Sequence, residues 1–319
     1  FPVYQFKEEY YSGMLYILNV VNSRPIEKHK REITAGINAV FPSFVSVYDI
    51  DNDGTKEIIT TLNDNNVHGF GINNNALTKE WMVTNSDSKT NRKFYDKGVS
   101  IGNVDNSDPI DIIVGYSTGN FKSRIDGLAS GKMLENINLI GDDPKIIWEV
   151  DLMDFDSEAN NFADSISIPT LVNLDDDPEK EIVLGSQAKY EYSKEKGVQI
   201  IDKIYAFDGS GSDLLWSNDL DEVKTFENVA ADINRDGKTE IIVGAWSNLY
   251  VLDNKGSIKW KFPLDSIMQS ISIADLNQDG HLEILAYQNR ELYVLDKDGN
   301  QFVFGGIEEG YFNPLPWPM

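Results

Sequence analysis

The chain has 319 residues, with 28 Lys and Arg set against 52 Asp and Glu, for a formal net charge of −24. That balance disfavours a nucleic-acid partner, which needs clustered cations against phosphate. With no cysteine, disulfides and thiol catalysis are excluded, and no apolar stretch approaches the ~20 residues of a membrane-spanning helix.

From the N-terminus, "MLYILNVVNSRPIEKHKREI" (14–33) reads as two strands around a turn. Within it, "IEKHKREI" (26–33) comes nearest to a helical period, and its position suits an outer strand equally well. The alternating segment "FVSVYDI" then leads into "DIDNDGTKEIITT", which starts at Asp49. A strand, a tight acidic loop and a second strand are expected there. The same grammar returns in "NVDNSDPIDIIVG" from Asn103, "NLDDDPEKEIVLG" from Asn173, "DINRDGKTEIIVG" from Asp232 and "DLNQDGHLEILAY" from Asp275. The start-to-start spacings are 54, 70, 59 and 43 residues, so a unit of about 50 residues repeats. A second pair of strands follows each hairpin. "IYAFDGSGSDLLWSN", "LYVLDNKGSIKWKFP" and "LYVLDKDGNQFVFGG" each run from an apolar strand through an Asp and a Gly turn to a strand with an aromatic residue. Trp216, Trp260 and Phe302 or Phe304 fill that place, and Trp81 and Trp148 fit it more loosely. Core packing between neighbouring units is the expected role of these tryptophans.

The acidic loops have the chemistry of a hard-cation site. Oxygens at positions 1, 3 and 5 can converge on one centre, a glycine at position 6 allows the sharp turn, position 7 offers a carbonyl, and a carboxylate at position 9 closes the cage. Asp49, Asp51, Asp53, Thr55 and Glu57 make one complete set. Asp232, Asn234, Asp236, Lys238 and Glu240 make another, and Asp275, Asn277, Asp279, His281 and Glu283 a third. At position 7, Thr55, Lys238 and His281 would act through their carbonyls, with the His281 side chain in solvent. The set Asn173, Asp175, Asp177 and Glu181 has Pro178 where glycine is expected. The set Asn103, Asp105 and Asp111 lacks the glycine and has the weak ligand Ser107.

These five loops resemble the calcium motif of the FG-GAP repeat, also called VCBS-type, found in integrin α-like propellers. The resemblance implies an all-β chain: a β-propeller of four-stranded blades, with about three to five structural Ca2+ sites. Five units start near residues 43, 97, 166, 226 and 269 of a single domain, 1–319. Residues 1–42 and 307–319 would form a closing blade in which N- and C-terminal strands pair. That makes six blades, or seven if 117–145 hides a degenerate one. A looser resemblance, to quinoprotein-like propeller repeats, rests on the Asp–Gly–Trp turns and on "FPVYQF" and "WPM" at the two ends. The chain begins with Phe1 rather than Met, which suits a processed form or part of a longer protein.

No catalytic constellation emerges. His29, His68 and His281 lie in different units without zinc-ligand spacing. Acidic pairs from distant segments leave a secreted carbohydrate-active enzyme, such as a polysaccharide lyase, as the alternative. Two long connections, 116–127 and 187–203, mix aromatic and cationic residues: Tyr116, Phe121, Lys122 and Arg124 in one, Tyr190, Tyr192, Lys194 and Lys196 in the other. They are expected on the face opposite the acidic loops, as a binding surface. The resulting expectation is an extracellular, cell-surface or periplasmic binding or adhesion module for a protein or glycan. The absence of an N-x-[ST] sequon leans toward a bacterial or archaeal source.

Overall fold

The computed structural model describes residues 3–7, 10–21, 24–34, 45–62, 66–73, 76–83, 92–94, 98–106, 110–119, 131–140, 143–152, 167–175, 177–193, 197–211, 213–220, 227–245, 247–264, 268–288 and 291–301. Among these residues the strands form six antiparallel sheets. The first sheet holds β1 (Val3–Lys7), β2 (Tyr10–Val21) and β3 (Arg24–Thr34). The second holds β4 (Val45–Tyr48), β5 (Glu57–Leu62), β6 (Asn66–Asn73) and β7 (Ala76–Val83). In the third, β8 (Arg92–Phe94) and β9 (Val99–Gly102) both pair with β10 (Asp111–Gly119), followed by β11 (Gly131–Ile140) and β12 (Asp143–Asp151). The fourth holds β13 (Thr170–Val172), β14 (Glu181–Ser193), β15 (Gly197–Phe207) and β16 (Leu214–Leu220). The fifth holds β17 (Glu227–Ala231), β18 (Glu240–Gly244), β19 (Asn248–Leu252) and β20 (Ile258–Pro263). The sixth holds β21 (Met268–Ala274), β22 (Glu283–Gln288) and β23 (Glu291–Leu295).

Each sheet packs on the next in chain order, and the core is divided accordingly. Ile17 lies against Phe70 and Leu77 between the first and second sheets. Ile59 and Val67 meet Ile112 and Val114 between the second and third. Ile113 meets Ile182 and Leu184 between the third and fourth. Val183 meets Ile241 and Val243 between the fourth and fifth, and Ile242 meets Ile271 and Ile284 between the fifth and sixth. Alternate residues of one strand thus enter two different cores. This is why β10, β14 and β18 begin with unbroken apolar runs rather than an alternating pattern.

The first strands also line up, with β4 beside β9, β9 beside β13, β13 beside β17 and β17 beside β21. Hydroxyls join them: Ser46 Oγ donates to the Val99 carbonyl at 2.7 Å, Ser100 Oγ to that of Pro169, and Thr170 Oγ1 to that of Asn228 at 2.9 Å.

Two alternatives left by the sequence are narrowed and one expectation is corrected. Residues 26–33, which suited an outer strand as well as a helical period, belong to the outer strand β3. Residues 131–140 and 143–145 pair into the third sheet, so the described part of 117–145 adds no further sheet. Most of 187–203 is not a loop: β14 and β15 continue as a ladder out to the pair Ser193 and Gly197.

Candidate metal centres

Each acidic loop joins two paired strands, β9 and β10 in the third sheet and the first two strands in the others, and one hydrogen-bond scheme shapes them. The closing carboxylate turns back to accept the N–H of position 2. Ile50 donates to Glu57 at 2.9 Å, Val104 to Asp111 at 2.7 Å, Ile233 to Glu240 at 3.1 Å, Leu276 to Glu283 at 2.8 Å, and Leu174 to Glu181. All five of these carboxylate residues are buried. In the three glycine loops, the position 1 carboxylate accepts the N–H of Gly54, Gly237 or Gly280, at 2.9–3.0 Å. Side chains at positions 3 and 5 accept the N–H two residues on, as in Asp51 with Asp53 and Asp53 with Thr55. Such Asx turns are the local preference of Asp and Asn. The turn needs left-handed backbone at position 4 (Asn52 φ 61°, Arg235 φ 60°, Gln278 φ 62°) and at the glycine.

The scheme folds the oxygens inward. Asp49, Asp51 and Glu57 bring carboxylate oxygens within 4.8 Å of one another, and so do Asp175, Asp177 and Glu181. The Pro178 loop, whose backbone the sequence put in question, therefore gathers its carboxylates as the glycine loop from Asp49 does. Burial pushes the Glu57 carboxyl up to about 7 against the pull of the Ile50 N–H, with Asp51, Glu80 and Asp53 adding like charge. Glu181 is raised to about 7 in the same way, by burial, with Asp175 and Asp177 contributing.

In the glycine loops, Asn234 donates its Nδ2 to Glu240 at 2.9 Å, and Asn277 donates to Asp279 at 2.9 Å and to Glu283 at 3.3 Å. Lys259 Nζ reaches Glu240 Oε1 at 2.7 Å, a contact that motif reading does not foresee. His281 is half-buried with a shielded Nδ1, against the expectation of a solvent-facing ring. Its N–H holds the Asp279 carboxyl below its ordinary range. In the loop from Asn103, positions 1 to 4 and 8 to 9 are described, and Ser107 lies outside the described residues.

Adjacent loops touch. Lys180 N–H donates to the Val104 carbonyl at 3.2 Å, and Leu282 N–H to that of Ile233 at 3.1 Å. The Arg235 guanidinium lies over Gly280 of the next loop, where a Cβ would meet it at 2.1 Å. These contacts join the loop from Asn103 to that from Asn173, and the loop from Asp232 to that from Asp275, along the rim of the sheets.

Turns between the third and fourth strands share that rim, and they explain the tryptophans. Trp148 packs on Gly211, Trp216 on Gly256 and Trp260 on Gly299, each time from one sheet to the turn of the next. Trp216 Nε1 donates to the Asn254 carbonyl at 3.2 Å and Trp260 Nε1 to that of Lys297 at 3.0 Å. The Asp–Gly–Trp pattern is therefore a joint between sheets. Trp81 instead lies over Gly69 within its own sheet.

The expected partner surface is only partly described. Tyr116 is on β10, and Tyr190 and Tyr192 are on β14, in neighbouring sheets and toward the strand ends away from the metal loops. Phe121, Lys122, Arg124, Lys194 and Lys196 lie outside the described residues, as do Phe302 and Phe304.

Comparison with known proteins agrees with this geometry. Residues 232–286 match the FG-GAP-like repeat. The matched FG-GAP stretch runs from position 1 of one acidic loop, through β18 to β21, and past the next loop into β22. No curated protein matches the chain. Among solved structures, the chain is similar to the Dos1 propeller, with TM-score 0.55 and 8% identity over 92% of this chain and 65% of that one. It is also similar to a chain in the crystal structure of BBS1N in complex with ARL6DN (TM-score 0.52, 12% identity, 84% and 67% covered). A third match is the rhamnogalacturonan lyase YesW, at TM-score 0.46 and 12% identity, with 94% and 59% covered. The chain thus spans 59–67% of the length of these three. The fold is that of a β-propeller, and residues 232–286 carry an FG-GAP-like repeat.

Proposed function

We propose that this protein is a calcium-stabilised propeller of six blades that serves as an exported binding or adhesion module for a protein or glycan. One observation carries the metal reading. Asp49 Oδ1 and Asp275 Oδ1 are buried without a hydrogen-bond donor, each at position 1 of a loop whose other oxygens turn inward. An unpaired buried carboxylate oxygen is costly, and a hard cation satisfies it. Positions 1, 3, 5 and 9, with the carbonyl of 7, would hold the ion. Calcium would supply the positive charge that relieves repulsion among these carboxylates.

Six blades follow from the six sheets if the first and sixth gain the strands they lack among the described residues. The Ser46 hydroxyl faces the third sheet, so Val45 and Val47 face the other way, toward the first, and are 50% and 53% exposed. An inner strand from residues 307–319, beside β1, would cover them and close the ring.

The partner reading is supported by the β14–β15 extension, which outruns β13 and β16 on the face away from the metals. The match to BBS1N, solved with ARL6DN, supports the use of such a fold as a docking platform. Export fits calcium loops of this kind, since extracellular modules bind at 10⁻⁴–10⁻³ M. The test is a glycan array and a protein-binding screen in calcium, repeated with Tyr190→Ala/Tyr192→Ala. Loss of a binding signal at unchanged melting temperature supports the assignment. An unchanged signal removes the hairpin from the site. Elemental analysis finding no calcium removes the metal reading.

A further inference from the structure

A β-bulge recurs at one register of the last described strand in the first five sheets. The ladder slips between Ile17 and Leu18, Gly69 and Phe70, Asn136 and Ile137, Ala206 and Phe207, and Val251 and Leu252. The residue left over opposite each slip is Lys28, Glu80, Ile147, Leu215 or Lys259, immediately before His29, Trp81, Trp148, Trp216 or Trp260. A bulged residue has no cross-strand partner, and the local kink re-aims its side chain.

In the fifth sheet the bulge sends Lys259 to the closing carboxylate of the same sheet's metal loop. Its Nζ is 2.7 Å from Glu240 Oε1, with the two side chains 35% and 2% exposed. The oxygen that must turn to an ion is thus already held by an ammonium and by Asn234 Nδ2. In the second sheet the same register place holds an anion, Glu80, where the fifth sheet holds the cation Lys259. Asn73 Nδ2 fixes the Glu80 carboxylate at 2.7 Å. In the third and fourth sheets the residues are Ile147 and Leu215, each 44% exposed and uncharged.

We propose that the bulged residue before the outer-strand aromatic sets the cation affinity of its own sheet's acidic loop, Glu80 tightening the site at Asp49 and Lys259 weakening the site at Asp232. The inference rests on the calcium reading above. A cation entering the Asp232 loop must displace Lys259 from Glu240, whereas one entering the Asp49 loop meets an additional anion. For partly exposed charges a few ångströms apart, each effect is on the order of tenfold in affinity.

The test is calcium titration calorimetry on wild type, K259Q, K259R, E80Q and the pair D236A with K259Q. Both bulged side chains are exposed, so the substitutions leave the packed core untouched. K259Q should tighten one site about tenfold, K259R should leave it weak, and E80Q should loosen a different site by a similar factor. The K259Q gain should vanish in the D236A background. A K259Q isotherm within twofold of wild type, or a gain that persists without Asp236, overturns the inference while leaving calcium binding intact. No calcium uptake by any protein in the set overturns the metal reading and this inference together.

Discussion

Single side chains in the acidic loops shape the turn and, on the proposed reading, also face an ion, and substitutions can separate the two roles. Asp236 accepts the Lys238 N–H at 2.8 Å and stands at position 5 of a glycine loop. Asp236→Ala should lower the melting temperature substantially in calcium but by little in EGTA, because the Asx turn alone contributes about 1 kcal/mol. Comparable losses in both buffers, read by differential scanning calorimetry, would make Asp236 a turn residue only. The closing carboxylates give a pH prediction. Glu57 and Glu181 are raised to about 7, so in EGTA their burial is tolerated below the ordinary carboxylate range and penalised as pH rises through 7. The apoprotein should therefore lose stability between about pH 4.5 and 7, with Glu227, also raised by burial, adding to the slope. Calcium should flatten it, since a bound cation favours the ionised form. Melting curves across this range, with and without calcium, provide the check.

At the scale of elements, the joint between sheets is a tryptophan on a left-handed glycine. Gly256 has φ +81°, and an added Cβ would lie 2.5 Å from the Trp216 ring. Gly256→Ala thus combines backbone strain with overpacking and should cost about 2–4 kcal/mol, measured by urea denaturation. Gly54→Ala has the same strained φ, but no atom lies within 4 Å, so its loss should be about half as large. The tryptophans were legible in the sequence because they recur before each unit boundary; their glycine partners were not, because each belongs to the next sheet. Locality explains the other successes and failures too. The acidic turns could be read because Asx turns and left-handed glycines are decided within nine residues. The extension of β14 could not, since "QAKYEYS" lacks the apolar run of a strand buried on both faces and is recognised only by its pairing with β15. Lys259 escaped for a similar reason, as its contact with Glu240 depends on a bulge that shows only in the register.

For the whole molecule, the calcium reading proposed above makes stability depend on calcium. Ligands bound only by the native state stabilise it by mass action, by about 4 kcal/mol per site at a thousandfold excess over Kd. Removing calcium with EGTA should lower the melting temperature by many degrees, and an unchanged curve would leave the loops as turns alone. Residues 302–319 bear on the same scale. If they complete the first and sixth sheets, deleting them should expose the Val45 and Val47 side of β4 and convert a cooperative melt into an aggregating one. A truncated chain that stays monomeric by light scattering, with an unchanged melt, would open the ring.

The hydroxyl links between first strands carry a direction. Ser46, Ser100 and Thr170 each sit three residues before their loop, and each donates to the carbonyl four residues before the loop of the following sheet. Each of these three joints therefore has a donor edge and an acceptor edge, like tiles with a tongue and a groove. Such a tile accepts another copy of itself in the same sense and rejects one that is turned around. A gene segment duplicated in tandem would arrive with its joint already made. At Val229 the tongue is missing, and the next sheet is held instead by the Ile271 N–H on Glu227 at 2.8 Å, a joint of the opposite sense. At that seam a copy could not simply be slipped in.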